Sequence, residues 1–136
     1  MKGRKRQVVV DTLGLIVAVV VTAAHVDDRE GLVALLNSYF ADGVTRLRKL
    51  WVDGGYRAEW LCAWVWGLKR TPKIDLEVVE HNGKGFRVVP HRWVVARTFA
   101  WLLNYRRHRC DYEVLTATSA AMVQLSMIHL LLKRLA

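Results

Sequence analysis

A chain of 136 residues is long enough for one domain with one modest core, and a 53% hydrophobic content excludes a disordered chain. The 21 Lys and Arg against 12 Asp and Glu leave a net charge of +9, an excess that points to a polyanionic partner, either nucleic acid or an acidic membrane surface. Cys62 and Cys110 form no CxxC pair and no Cys/His cluster, which argues against structural zinc; they read as reduced, partly buried thiols of a cytoplasmic protein.

In chain order, Lys2, Arg4, Lys5 and Arg6 precede an apolar run from Leu13 to Ala24, a pattern like a secretory signal peptide. Asp11 interrupts that pattern near its start, and the run is too short to span a bilayer as a helix. Gln7 to Thr12 and Leu15 to Thr22 are valine-rich and separated by Leu13-Gly14, which predicts a β-hairpin covered on both faces. Asp27-Asp28-Arg29-Glu30 opens a helix to about Phe40, with Gly43 just beyond its end. Arg48 to Asp53 predicts a short buried strand broken by Gly54-Gly55, and Ala58 to Leu68 an amphipathic helix before Pro72. Leu76 to Glu80 and Phe86 to Val89 predict strands around the loop 81–85. Arg92 to Arg107 and Ser119 to Arg134 predict two helices, the second capped by Thr118 or Ser119. Val114 to Leu132 carries no formal charge over about one membrane thickness, but Thr116, Thr118, Ser119, Gln124, Ser126 and His129 would be costly in lipid. Strands alternating with helices indicate an α/β layered domain.

Three blocks carry a resemblance: Gly3 to Gly14, Trp51-Val52-Asp53-Gly54-Gly55-Tyr56, and Arg92 to Leu102 running into Asn104-Tyr105-Arg106-Arg107. In this order, over most of the chain, they resemble the DDE-type transposases of bacterial insertion sequences. The resemblance implies a partial ribonuclease H-like fold: a mixed sheet with flanking helices. It implies residues 1–136 as a C-terminal fragment of the catalytic domain, with the first, central strand absent. It also implies Mg2+ or Mn2+ as cofactor. Two aspartates and a glutamate of that family hold two ions for strand cleavage and transfer, a chemistry that needs several carboxylates converging on ions about 4 Å apart.

Asp53 matches the second aspartate of the family and is the candidate metal ligand. Taken alone, its position before Gly54-Gly55 fits a turn-forming aspartate equally well. The family's glutamate falls on Ala96, whose methyl group binds no metal. Its first aspartate falls upstream of the Gly3 block; Asp11 reads better as a strand-end residue leading into the hairpin turn. Glu59, Glu77 and Glu80 lie on other elements, and none is one helical turn from Ala96. Arg92 matches an arginine one turn before the family's glutamate. The broader signature's tyrosine and lysine are replaced by Val89 and Leu103, a departure from the pattern.

Basic residues cluster at Lys2 to Arg6, Arg46 to Lys49, Lys69 to Lys73 and Arg106 to Arg109. Such clusters either neutralise DNA phosphates or are ordinary solvated surface. Arg92, Arg97, Arg106, Arg107 and Arg109 are the candidate DNA contacts. Trp93, Arg97 and Trp101 follow at four-residue steps, so Arg97 can stack between two indoles that otherwise read as core, as do Trp60 and Trp64.

The expectation is a catalytically incomplete transposase-family protein with transposon-end DNA as partner, and full-length transposase subunits as further candidate partners. The alternatives are a non-enzymatic DNA-binding or inhibitory partner of a full-length transposase, and a small membrane-associated protein; no membrane partner is expected. Without a central strand, Val8 to Val10 and Leu50 to Val52 become facing apolar edges. Three outcomes are open: direct pairing of these strands, a strand supplied by another chain, or an unstable product that aggregates. Direct pairing is expected over an open gap, because unpaired buried backbone groups are costly, with marginal stability and self-association in solution.

Overall fold

The computed structural model describes residues 3–41, 46–69, 73–80 and 91–136. Strands β1 (Arg4–Val10) and β2 (Ile16–Ala23) form the expected hairpin, with Arg4 opposite Ala23, Val8 opposite Val19 and an irregularity between Val9 and Val10. Asp11 makes the turn: its Oδ1 accepts the N–H groups of Leu13 and Leu15, both at 2.9 Å. Gly14 completes it at φ 85°, a conformation that costs a side chain with a Cβ. Asp11 is thus the turn-forming residue its sequence context indicated.

Helix α1 (Asp28–Ala41) follows, and Asp27 Oδ1 accepts the Arg29 N–H at 2.8 Å at its start. Strand β3 (Lys49–Asp53) pairs in parallel with β4 (Asp75–Val79), and the short helix α2 (Glu59–Gly67) lies between them in sequence. Helix α3 (Arg92–Leu103) gives way at Asn104 to a turn and a 3-10 segment, Arg106–His108, so the helix expected to Arg107 stops short. Helix α4 (Thr116–Leu135) begins three residues before the expected start. Leu115 occupies the cap position without a side-chain cap, and Ser119, expected as a cap, is buried inside the first turns. The strand expected at Phe86 to Val89, the loop 81–85, Gly43 and Pro72 lie outside the described residues.

Strand alternation sends β1 to two cores. Val9 joins Leu32, Leu35, Leu36, Leu50, Val52, Leu61, Val65 and Ile74 on the α1 and α2 side. Val8 packs toward Val19, Leu102 and Val123 on the α3 and α4 side. Both faces of the hairpin are therefore covered, as its apolar runs require.

Among the described residues the expected mixed sheet is not continuous. Strands β1 and β2 make one sheet and β3 and β4 another, so the direct pairing expected between β1 and β3 does not occur. The physical reason lies in the layers. Helix α1 carries Leu32 and Leu35 beneath both pairs and α3 carries Val95 and Phe99 nearby, so the helices hold the strands apart around a cavity.

Three burial expectations also fail. Cys62 and Cys110 are free and exposed, not partly buried. Trp60 is half exposed, because nine-residue α2 buries one stripe, Leu61 and Val65, and turns its neighbours outward; Trp64 does pack against the core. Trp93 is likewise half exposed on α3. Among the described residues, no helix is long and apolar enough to cross a membrane.

Candidate functional site

A cavity of about 420 Å³ lies between β1 and β3. Asp53 and Ala96 both line it, together with Gln7, Tyr56, Trp51 and His91. The fold therefore brings together the two positions that the sequence pattern singled out, 43 residues apart in the chain. Asp53 reaches the cavity because it ends β3, opposite Val79 of β4. It also caps the following 3-10 turn, with Oδ1 accepting the Gly54 N–H at 2.7 Å. The turn-forming role that its context allowed is present, alongside its place in the cavity wall. Ala96 arrives from the second turn of α3 with Val95 and Phe99.

Other acids do not fill the gap left at Ala96. Glu77 is held by Lys49 Nζ at 2.5 Å, and this hydrogen bond and charge push its carboxyl below the usual range. Glu80 pairs with Arg57. Neither these nor Glu59 lines the cavity, whose described lining contains Asp53 as its one carboxylate. Among the described residues, no group of three or more His, Cys, Asp or Glu side chains is placed to hold a metal. These donors do not fit a two-metal centre.

Sequence reasoning missed three residues here. Tyr56 is half-buried, and its hydroxyl is pushed up by burial first and then by the negative charges of Asp28, Asp53 and Asp27. His91 caps α3 at φ 69° and stacks on Trp51, with ring centroids 4.3 Å apart and planes at 18°. Gln7 is buried, and neither amide atom has a hydrogen-bond partner among the described residues. Leaving such a group unsatisfied costs roughly 1–3 kcal/mol. A glutamine between arginine and valine carried no signal of this in one dimension.

The basic residues divide by what they already hold. Arg4 donates to the Glu113 carbonyl at 2.6 Å and the Val114 carbonyl at 2.5 Å, Lys5 binds Asp28 at 2.9 Å, and Arg6 donates to the His108 carbonyl at 3.2 Å. That first cluster fastens β1 to α1 and to the segment before α4. Arg97 stacks between Trp93 and Trp101, its guanidinium carbon 4.5 and 4.8 Å from the ring centres, and donates to the Leu13 carbonyl at 2.8 Å. Arg134 covers the Trp101 ring at 4.3 Å. Arg97 thereby clamps α3 onto the hairpin turn, the stacking its spacing indicated. Beside it, Thr98 Oγ1, fully buried, donates to the Gly14 carbonyl at 2.5 Å.

Arg92 opens α3, and its side chain lies outside the described set. Arg107 is paired with Glu113 at 2.6 Å, which raises the guanidinium and lowers the carboxyl from their ordinary values. Arg106 and Arg109 are exposed on the 3-10 segment and its cap. Arg109 also borders a second concavity, of about 330 Å³, shared with Arg4 and Arg6.

Residues 1–131, which carry this carboxylate and the helix across the cavity from it, match the family described as "Transposase DDE domain". The chain belongs to that family. It is 31% identical over 117 residues to a protein of Burkholderia cepacia described as the transposase for insertion sequence element IS402; the match covers 82% of this chain and 54% of that one. The chain thus spans about half the length of this curated relative. No solved structure matches it.

Proposed function

We propose that this chain is a DNA-binding member of the transposase family that does not cut DNA unaided. Its fold is a partial ribonuclease H-like domain, and its working place is the cytoplasm. The observation that carries the reading is the cavity shared by Asp53 and Ala96, with one carboxylate in its described lining. Family members depend on Mg2+ or Mn2+, and two-metal phosphoryl transfer needs carboxylates from several elements to converge. Here Asp53 can offer a single ligand, Ala96 offers none, and no cleavage step follows from these residues.

Binding rests on the other surface. Arg106 and Arg109, with the concavity that Arg109 shares with Arg4 and Arg6, present positive charge to a phosphate backbone. No base-reading element accompanies them among the described residues, and the affinity proposed is salt-sensitive and sequence-tolerant. Arg92 and Arg97 belong to α3 and are proposed contacts as well, Arg97 acting through its clamp on the turn. Transposon-end DNA is the proposed ligand, and full-length transposase subunits are proposed protein partners.

The test uses end-labelled duplex oligonucleotides with purified chain and Mg2+ or Mn2+. Retarded complexes without nicked or joined products are expected. Metal-dependent nicking that vanishes in Asp53→Ala would refute the reading.

A further inference from the structure

We infer that the outward face of α4 is a dimerisation surface, which pairs antiparallel with the α4 of a second copy of this chain. The inference goes beyond the DNA-binding reading and does not depend on it.

Helix α4 has two apolar faces. Val123 and Met127 are buried on one, between Ser119 and Ser126, and Val123 packs with Val19 of β2 and Leu102 of α3. An ordinary surface helix is polar on the opposite side. Here Thr118, Ala121, Leu125, Ile128, Leu132 and Leu135 are exposed, at steps of three, four, three, four and three residues. That is the a and d spacing of a coiled-coil seam, sustained over about 25 Å of helix. Leu125, Ile128 and Leu132 are each more than half exposed, and Leu135 is 85% exposed. The positions beside the seam, Met122, Gln124, His129 and Leu131, carry no Lys, Arg, Asp or Glu. The basic end of the helix lies off the seam, where Arg134 covers Trp101 of α3.

A heptad seam takes a helix with the same repeat. Among the described residues, α1 and α2 turn their apolar stripes into the core through Leu32, Leu35, Leu61 and Val65. Helix α3 buries Val94 and Leu102. The second copy's α4 supplies the repeat that the other helices do not. Laid antiparallel on its own copy, the seam matches itself. Leu125 meets Ile128 at the centre, Ala121 meets Leu132, and Thr118 meets Leu135. Each outer layer sets a small side chain against a large one, so the layers interdigitate. The two-fold axis makes the interface isologous and closed. Antiparallel pairing also opposes the two helix dipoles and keeps the two Lys133-Arg134 ends apart, whereas parallel pairing sets them side by side.

The area sets the strength. The four large side chains leave roughly 400 Å² of apolar surface on each copy, about half of the ~800 Å² per partner of a standard interface. The dimer is therefore weak, with a dissociation constant of roughly 10–100 µM. Each copy carries a net charge of +9, so association tightens as salt screens that repulsion. DNA binding weakens under the same change.

Sedimentation of the full chain, free of DNA, across roughly 1–500 µM reads the association. A discrete monomer–dimer equilibrium that tightens with salt is expected. Leu125→Glu together with Leu132→Glu should weaken it at least about tenfold, while Leu103→Glu, an exposed leucine off the seam, should leave it unchanged. Cross-linking by a short bismaleimide gives a second readout, in a Cys62→Ser, Cys110→Ser background because both native thiols are exposed. Thr118→Cys mixed with Leu135→Cys should link. Neither should link to itself, since like positions lie about 25 Å apart in the antiparallel pair. The inference is overturned by a monomer throughout that range, by open-ended aggregation, or by a dimer that survives the double glutamate variant. Self-linking of either cysteine variant overturns it as well. So does binding to phosphatidylcholine vesicles that the double glutamate variant abolishes when no dimer forms in solution, since the face then serves a lipid surface. The salt dependence of DNA binding is measured separately, so loss of either result leaves the other standing.

Discussion

The division of labour among Arg106, Arg107 and Arg109 makes a numerical prediction about DNA binding. All three are exposed, but Arg107 is held by Glu113 at 2.6 Å, whereas Arg106 and Arg109 have no acidic partner among the described residues. Each phosphate neutralised adds about 0.9 to the slope of log K against log salt on duplex DNA. Replacing Arg106 and Arg109 together with alanine should therefore flatten the slope by about 1.8. Between 50 and 200 mM salt the parent should lose roughly 12-fold more affinity than the double variant. Arg107→Ala should leave the slope nearly unchanged, since it removes a charge already neutralised within the chain. Fluorescence anisotropy on one labelled duplex across that salt range reads all three. An Arg107→Ala slope change as large as that of Arg106→Ala or Arg109→Ala, or no change in the double variant, would refute the assignment.

Three further outcomes are expected. Gly14→Ala places a methyl 3.0 Å from Thr98 Oγ1 and 3.1 Å from Trp101 Cζ3 at a positive φ; it should cost about 2 kcal/mol and lower the melting temperature by roughly 4–8 °C, whereas Gly67→Ala, with nothing within 4 Å, should not. His108 is held below its ordinary value of 6.5 by burial and by Arg6, so the unfolded chain binds the proton more readily; stability should be full above about pH 6.5 and fall below it, and thermal melts of His108→Gln should lose that decline. Ala96→Glu should not produce nicking with Mg2+ or Mn2+, because two carboxylates in the cavity still fall short of the family's three; nicking by this single variant would show that the remaining ligands are present.

How much of this was legible depended on whether the signal was local. The valine runs of β1 and β2, the Asp11 turn and the Arg97 stack were readable because neighbours in sequence define them. Asp53 and Ala96 were readable as positions in a pattern, and the fold then placed both in one cavity. The start of α4 was misplaced because Ser119 has the chemistry of a cap, while its burial depends on a distant packing partner. Trp60 and Trp93 were assigned to the core by residue type, yet short helices bury one stripe only. Gln7 against Gly31 was invisible: a Cβ at Gly31 would collide with the Gln7 amide, a fit set by how α1 crosses β1. The separation of the two sheets was also missed, because backbone pairing favours closure while the placement of α1 and α3 opposes it.

The separation has a mechanical consequence. Backbone ladders tie β1 to β2 and β3 to β4, and among the described residues none crosses from one pair to the other. Leucines of α1 join the two halves, and apolar contact has no preferred direction. A small rocking of one strand pair against the other therefore breaks no backbone ladder among the described residues. The opening between them is compliant, widening for bulky side chains and narrowing for small ones.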